Sequence, residues 1–292
     1  MIRSPHATST PPLPSRHQDP EDAGASADDN AIGARFVRAA DPEVSLRVTE
    51  GAGDRGFDYE TIPSGYYDAV YRRRRGIQSK WHHLKFRRVV EEIEGHQRHL
   101  DVGCGPGTLI GLLDDRFLST GIDISKTEID YARCVYESES KHFFAVSARA
   151  LPYACRDYDV ATLVEVVEHL APAELEDVLQ ATIKRLRPGG KLVVTTPNFR
   201  SAWPLVQRVI SRLGSVDYAP QHINHFTPRR LQQLLQDLGL KDVRVHRYLA
   251  VAPFAAALSW RLADILARLE RGPFERVAGL LLLVTASKPA DE

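Results

Sequence analysis

The sequence predicts an α/β fold, a doubly wound and mainly parallel seven-stranded sheet, and three observations carry that expectation. Strand-like and helix-like segments alternate from Gly95 to the end of the 292-residue chain; a glycine-rich turn, Gly103-Cys104-Gly105-Pro106-Gly107, joins the first strand to the helix after it; and a carboxylate, Asp123, closes the second strand. Alternation of this kind places helices on both faces of a parallel sheet, and such sheets bind ligands at the carboxyl ends of their strands.

Taken in order, residues 1–57 are rich in Pro, Ala, Ser, Asp and Gly and show no periodicity. A segment of that composition buries too little apolar surface to offset its ordering entropy, so a disordered tail is expected, followed by one folded domain over 58–290. Trp81, Leu84, Val89 and Ile93 recur at helical spacing, and Gly95 stops that helix. A strand follows over 99–102, then the glycine turn, a helix over 108–115 and a strand over 118–124. The next helix opens on Ser125 with Glu128 three residues on, the pattern of a capping box. Strands near 142–146 and over 158–164 precede a helix over 172–187 closed by Gly189-Gly190, and a strand runs over 191–196. The helix over 227–238 has Thr227 as its cap, Pro228 in first position and Gly239 as its stop. A strand over 241–248, a helix over 253–271 and a strand over 280–285 complete the alternation. No internal repeat is present.

Composition narrows the class. Lys and Arg number 38, as do Asp and Glu, and 43% of residues are hydrophobic, which excludes a basic arm that coats nucleic acid and an acidic disordered protein. Cys104, Cys134 and Cys155 are odd in number and lack metal spacing, so a reducing compartment is expected. The first twenty residues have no apolar core of a secretory signal, and no stretch reaches the roughly 20 apolar residues of a membrane span. A cytoplasmic protein is expected, with contact at a membrane surface left open. The even balance is unevenly spread: residues 71–100 hold 9 basic and 3 acidic side chains and residues 198–250 hold 8 and 3, whereas residues 101–197 hold 10 and 15.

The glycine loop is neither Gly-x-Gly-x-x-Gly nor a phosphate loop ending in Gly-Lys-Ser/Thr. Without the lysine a triphosphate is disfavoured, and Asp101 ahead of the loop repels a pyrophosphate while suiting an ammonium group. Asp123 is placed to accept two ribose hydroxyls. A ligand with a ribose and an amino-acid end fits both carboxylates.

With these residues the chain resembles the class I S-adenosylmethionine-dependent methyltransferases. The matching pieces are Leu100-Asp-Val-Gly-Cys-Gly-Pro-Gly107, Gly121-Ile-Asp-Ile-Ser125, Tyr158-Asp-Val160 leading to Glu165-Val-Val-Glu-His169, and Arg187-Pro-Gly-Gly-Lys-Leu-Val-Val194, in order across residues 95–250. The resemblance implies S-adenosylmethionine as cofactor. It implies that Asp101 and the Gly103, Cys104, Gly105 and Gly107 loop hold the methionine part, that Asp123 holds the ribose and that Ile124 packs on the adenine. Val164 joins the cofactor set. Relatives often carry Asp where this chain has Ser147, so Ser147 and the Ala148 backbone are expected to meet the adenine amine.

Methyl transfer from a sulfonium is an in-line displacement governed by positioning, with a base needed only where the acceptor must lose a proton. Glu165, His169 and His225 are the expected catalytic residues, without a metal. The alternative is a divalent ion held by Glu165, Glu168, His169 and His225, since carboxylate and imidazole ligands suit such ions. Glu-x-x-Glu-His resembles both small-RNA 2′-O-methyltransferases and ubiquinone-pathway O-methyltransferases, although the His-containing segment here is shorter than in the RNA enzymes. Those histidines and carboxylates also serve equally as caps and loop fixings. Trp81, His82 and His83, and the Tyr66-Tyr67 pair, have two readings, core packing or contact with the site. The stripe Phe254, Leu258, Leu262, Ile265 and Leu269 reads as a face covering the sheet, or as a membrane-surface or lid helix. The expected function is O-methylation of a small-molecule, glycan or lipid-linked acceptor, anionic by the basic segments that flank it. RNA ribose 2′-O-methylation and a non-catalytic cofactor-binding scaffold are the alternatives.

Overall fold

The computed structural model of the chain describes residues 63–151, 155–213 and 222–290; the tail expected over 1–57 lies outside them. Helix α1 (Tyr66–Arg72) leads into α2 (Gly76–Ile93), and the alternation then runs β1 (Arg98–Val102), α3 (Thr108–Leu112), β2 (Leu118–Asp123), α4 (Lys126–Tyr136), β3 (Lys141–Ala145), a 3₁₀ turn (Ala148–Ala150), β4 (Tyr158–Val164), α5 (Pro172–Arg185), β5 (Leu186–Pro197) and α6 (Trp203–Leu213). The chain closes with α7 (Pro228–Asp237), β6 (Lys241–Tyr248), α8 (Ala252–Ala255), α9 (Trp260–Leu269), α10 (Pro273–Ala278) and β7 (Leu281–Ser287). One seven-stranded sheet results, in the order β3-β2-β1-β4-β5-β7-β6. Only β7 runs against its neighbours β5 and β6. The direction of winding reverses between β1 and β4, and their carboxyl ends open there, on the edge that bears the glycine turn.

Local chemistry explains most boundaries. The second half of β5, from Leu192, and β7 up to Ala286 are buried throughout, as strands inside a covered sheet must be. Thr227 Oγ1 accepts from Arg230 N at 3.3 Å, Pro228 sits in the first turn, and Gly239 takes φ 84° beyond the helix end, as the sequence predicts for α7. The capping box expected at Ser125 is only half made. Ser125 Oγ accepts from Glu128 N, but Glu128 turns away and its Oε2 accepts from Gly65 N at 3.1 Å, while Asp123 Oδ1 takes the Ser125 N–H at 2.8 Å. Competition from Asp123 frees Glu128 to hold the start of α1.

A second clamp on α1 is the fully buried Asp68. It accepts from Thr108 Oγ1 at 3.0 Å, Tyr131 Oη at 2.8 Å and Tyr136 Oη, and pairs with Arg72 Nε at 2.7 Å. Helix α1 is thereby fastened over the N-terminus of α3. The single helix expected over 253–271 is two pieces, α8 and α9, because Ser259 recaps the chain by accepting from Leu262 N; α10 starts separately after Gly272, at Pro273.

Candidate functional site

The turn after β1 takes its shape from three left-handed glycines, Gly103, Gly105 and Gly107, at φ 73°, 50° and 75°. They differ in what surrounds them. A Cβ on Gly107 would stand 2.7 Å from Phe143 Cε1, whereas one on Gly105 would meet nothing within 4 Å. Gly107 is small because the helix packs against β3; Gly105 faces open space on the side where a ligand backbone can approach. Gly105 N donates to Asp123 Oδ2 at 2.9 Å, so the carboxylate at the end of β2 also holds the loop. Backbone N–H groups of Gly105, Ile124 and Ser125 thus converge on the Asp123 carboxylate. Burial, opposed by those N–H bonds, raises its pKa. Beside it the Ile124 side chain is 76% exposed, a large apolar surface with no covering on a loop of the carboxyl edge. Ser147 and Ala148 lie where the chain leaves β3, with Ala148 buried and Ser147 partly exposed.

Asp101 is buried at 2% exposure, and burial pushes its carboxyl up to about 7, against the bond it accepts from Thr162 Oγ1 at 2.6 Å. Thr162 is in turn 2.8 Å from His99 Nε2, and His99 Nδ1 is 3.4 Å from Ser119 Oγ. Burial holds His99 down to about 3, so the ring is neutral. A neutral ring accepts from Ser119 and donates to Thr162, which leaves the Thr162 hydroxyl hydrogen for Asp101. The line crosses β2, β1 and β4 beneath the glycine turn. Neither His99 nor Thr162 is marked in the sequence; Cα pairing of Asp101 with Thr162 puts them together.

Across the switch point lie the acidic and imidazole groups. Glu165 follows β4 with φ 58°, a left-handed conformation that side chains seldom take. Its Oε1 accepts from Thr195 Oγ1 at 3.1 Å, and its Oε2 stands 4.0 Å from Nζ of the buried Lys85, a cation that helical spacing alone did not single out. Glu168 is wholly buried, and neither of its carboxylate oxygens has a hydrogen-bond partner among the described residues. Burial first, and the nearby Glu165 carboxylate second, push it well above the usual carboxylate range. His169 Nε2 is 3.9 Å from Glu168 Oε1.

The loop before α7 is stapled onto this turn. Ile223 N and Asn224 N both donate to the Glu168 carbonyl, at 2.8 and 2.9 Å, and Asn224 Nδ2 donates to the carbonyls of Val167 and Leu170. The staple brings His222 to His169, with ring centroids 5.1 Å apart. Glu168, His169 and His222 each offer a ligand atom within 4.8 Å of the other two. Glu165 and His225, both expected in this group, stand outside it: Glu165 is engaged by Thr195 and Lys85, and the exposed His225 stacks on Phe199 at 4.1 Å. Burial and the charges of His169 and His225 lower His222 to about 4, leaving a neutral imidazole. Neutral nitrogen, a buried carboxyl with no close hydrogen bond among the described residues and a second imidazole form a donor set suited to a divalent cation.

From His222 an aromatic line leads outward. Trp203 lies 6.2 Å from His222, Trp81 5.5 Å from Trp203 and Phe254 6.3 Å from Trp81, all as centroid distances. Trp203 Nε1 is buried without a partner among the described residues. Trp81 of α2 therefore joins the aromatic line at Trp203 as well as packing against the core. His83 instead stacks on Tyr71, and its Nε2 lies 2.9 Å from the Tyr71 carbonyl. The Tyr66 and Tyr67 rings pack edge to face, and Tyr67 continues to His82.

A family model described as a methyltransferase domain matches residues 71–245. The chain is similar to a ubiquinone biosynthesis O-methyltransferase of Idiomarina loihiensis, 26% identical over 176 residues that cover 53% of this chain and 68% of that protein. It is also similar to a malonyl-[acyl-carrier protein] O-methyltransferase of Enterobacter lignolyticus, 31% identical over 170 residues covering 56% and 61%. The match thus spans about two thirds of the length of these relatives. Among solved structures, a SAM dependent methyltransferase from Archaeoglobus fulgidus aligns with TM-score 0.55 at 22% identity, over 76% of this chain and all of that one.

Proposed function

The chain belongs to the methyltransferase-domain family and is an S-adenosylmethionine-dependent methyltransferase, and from that premise we propose that it methylates an oxygen of a small acceptor with an apolar or aromatic body, bound between His169, His222 and Trp203. The observation that carries this reading is the convergence of Glu168, His169 and His222 at the carboxyl edge, with an aromatic line running away from them. On this reading the whole of 58–290 is one catalytic domain.

When bound, S-adenosylmethionine would supply an electrophilic methyl group to the acceptor oxygen, its sulfur keeping the bonding pair as a neutral thioether. The hydroxyl proton passes to His169. Asp123 would hold the ribose hydroxyls, Ile124 would pack on the adenine, and Asp101, held by the Thr162 hydroxyl, would meet the cofactor ammonium. Glu165 is held by Thr195 and stands beside Lys85, close enough to Glu168 to raise that group's pKa. Rate enhancement rests chiefly on holding sulfonium and oxygen in line while excluding water.

A second reading is favoured by the buried Glu168 carboxyl, whose oxygens make no close hydrogen bond among the described residues. Glu168, His169 and His222 fit a divalent ion, which when bound would lower the pKa of an acceptor hydroxyl. Under it, Glu168 would be the charge-bearing ligand and His169 a ligand rather than the base.

Labelled S-adenosylmethionine offered to metabolite, lipid and RNA fractions tests the acceptor class. His169→Ala is expected to bind the cofactor normally and to lose turnover; full turnover would refute its role. Magnesium or manganese is expected to raise the melting temperature of the wild type but not of Glu168→Gln if the cation reading holds. Equal melting with and without metal would remove that reading and leave methyl transfer standing.

A further inference from the structure

Helix α9 is built inside out for a helix that merely covers a sheet. Its inward side is small: Ala263 is fully buried, Ala267 nearly so, and Leu266 is only partly covered. Its large apolar side chains form an outer stripe, with Leu262, Ile265 and Leu269 exposed by 37%, 53% and 72%, and Leu258 just ahead of the cap exposed by 85%. Phe274 and Val277 of α10 extend this exposure at 48% and 78%. Soluble proteins seldom leave so many large apolar side chains together without a partner.

The charges in the segment are sorted as sharply. Its three acids all turn inward or are paired: Asp264 holds Lys80 and Arg87 of α2, the buried Glu270 accepts the N–H groups of Ala250, Val251 and Ala252, and Glu275 is buried. Arg261, Arg268 and Arg276 stay exposed. On α9, Arg261 and Arg268 are seven residues apart, so both flank the same side of the apolar stripe. Arg74, in the exposed basic loop before α2, is close enough to His83 to act on its charge, and His83 packs on Trp260 at the start of α9. The outward charge of this face is therefore positive, with apolar side chains at its centre.

Its place in the fold matters too. Strand β6 runs parallel to β5, so α8 to α10 leave the sheet at its carboxyl edge, the edge of the cofactor turn. Phe254 of α8 is the outer end of the aromatic line from His222.

We propose that α9, with α10, lies on the surface of an anionic phospholipid bilayer, its leucine and isoleucine stripe among the acyl chains and Arg261 and Arg268 at the headgroups. An apolar stripe beside arginines is the chemistry such an interface selects, and a basic surface distinguishes a bilayer from an acidic protein only through the depth of apolar insertion. The bilayer then presents an apolar acceptor to the aromatic line without crossing bulk water. No helix among the described residues is long and apolar enough to span a membrane, so this contact is peripheral.

The test is co-sedimentation of the full chain, without cofactor, with vesicles of phosphatidylcholine plus phosphatidylglycerol and with vesicles of phosphatidylcholine alone. Binding to the anionic vesicles is expected to exceed binding to the neutral ones by roughly tenfold or more. Ile265→Glu with Leu269→Glu is expected to abolish it, and Arg261→Glu with Arg268→Glu to reduce it to the neutral-vesicle level. These side chains are exposed, so unchanged melting temperatures check that the variants fold. Absence of vesicle binding, binding indifferent to either pair, or sedimentation as a dimer that Ile265→Glu and Leu269→Glu dissociate would each overturn the proposal. Because cofactor and acceptor are absent from the assay, failure here leaves the methyl-transfer reading untouched, and failure of that reading leaves this one untouched.

Discussion

Gly105 and Gly107 are two residues apart in one turn, both left-handed, yet alanine should do opposite things at the two. At Gly105 the added methyl meets nothing within 4 Å, so the cost to folding is the left-handed backbone alone, about 1–2 kcal/mol. At Gly107 the same strain is joined by a contact of 2.7 Å with Phe143 Cε1 and one of 3.0 Å with Ala132 Cβ, both fully buried partners. Overpacking of that kind adds about 1–3 kcal/mol, for a total of roughly 2–5 kcal/mol. A domain of this size loses about 2–4 °C of melting temperature per kcal/mol, so Gly105→Ala should melt a few degrees low and Gly107→Ala on the order of ten degrees low. Cofactor binding should rank the other way, since on the proposed cofactor placement the Gly105 methyl projects toward the ligand. Calorimetric titration with S-adenosylhomocysteine is expected to find affinity lost by about tenfold or more in Gly105→Ala, and much less in Gly107→Ala below its transition. Wild-type affinity in Gly105→Ala would refute the placement of the cofactor over that residue; wild-type melting in Gly107→Ala would refute the packing account.

Cofactor affinity should rise with pH up to about 7. Burial lifts Asp101 to about 7 in the free protein, so below that value the group is protonated, and binding an ammonium must expel the proton; titrations in buffers of different ionisation enthalpy should show proton release below pH 7 and none well above it. Thr162→Val removes the hydroxyl that supports the ionised form, and should shift this pH dependence upward without altering the sheet, whereas an unshifted profile would mean that Thr162 does not act on Asp101. Asp68→Ala strands Thr108, Tyr131 and Tyr136 without their common acceptor, and a loss of about 3 kcal/mol in denaturant unfolding is expected; a loss below about 1 kcal/mol would show that α1 is held by other contacts.

Features that depend on contiguous residues were legible from the sequence. The strand, the three glycines, the helix and Asp123 occupy one short stretch in which each residue's neighbour along the chain is also its neighbour in space. The N-cap Thr227, the first-turn Pro228 and the stop at Gly239 are equally local, and all three stand as expected. Ser125 marks the limit of such reasoning: its cap forms, but Asp123 takes the amide that Glu128 was expected to bind.

The amino-acid sequence by itself determined the alternation, the glycine turn, its carboxylate and hence the cofactor class, because backbone conformation and apolar periodicity are properties of short segments. Only the tertiary structure decided that Thr162 and His99 stand behind Asp101, that Lys85 reaches Glu165, and that His222 rather than His225 joins Glu168 and His169. Each of those contacts is made by strand register or by a loop stapled across the sheet, and spacing along the chain does not encode it. Helix α9 shows the same division. Its 3.6-residue periodicity announces an apolar stripe, but which side meets the protein follows from what it packs on: Lys80 and Arg87 hold Asp264, and small Ala263 and Ala267 admit a close approach, so the large side chains are left facing outward.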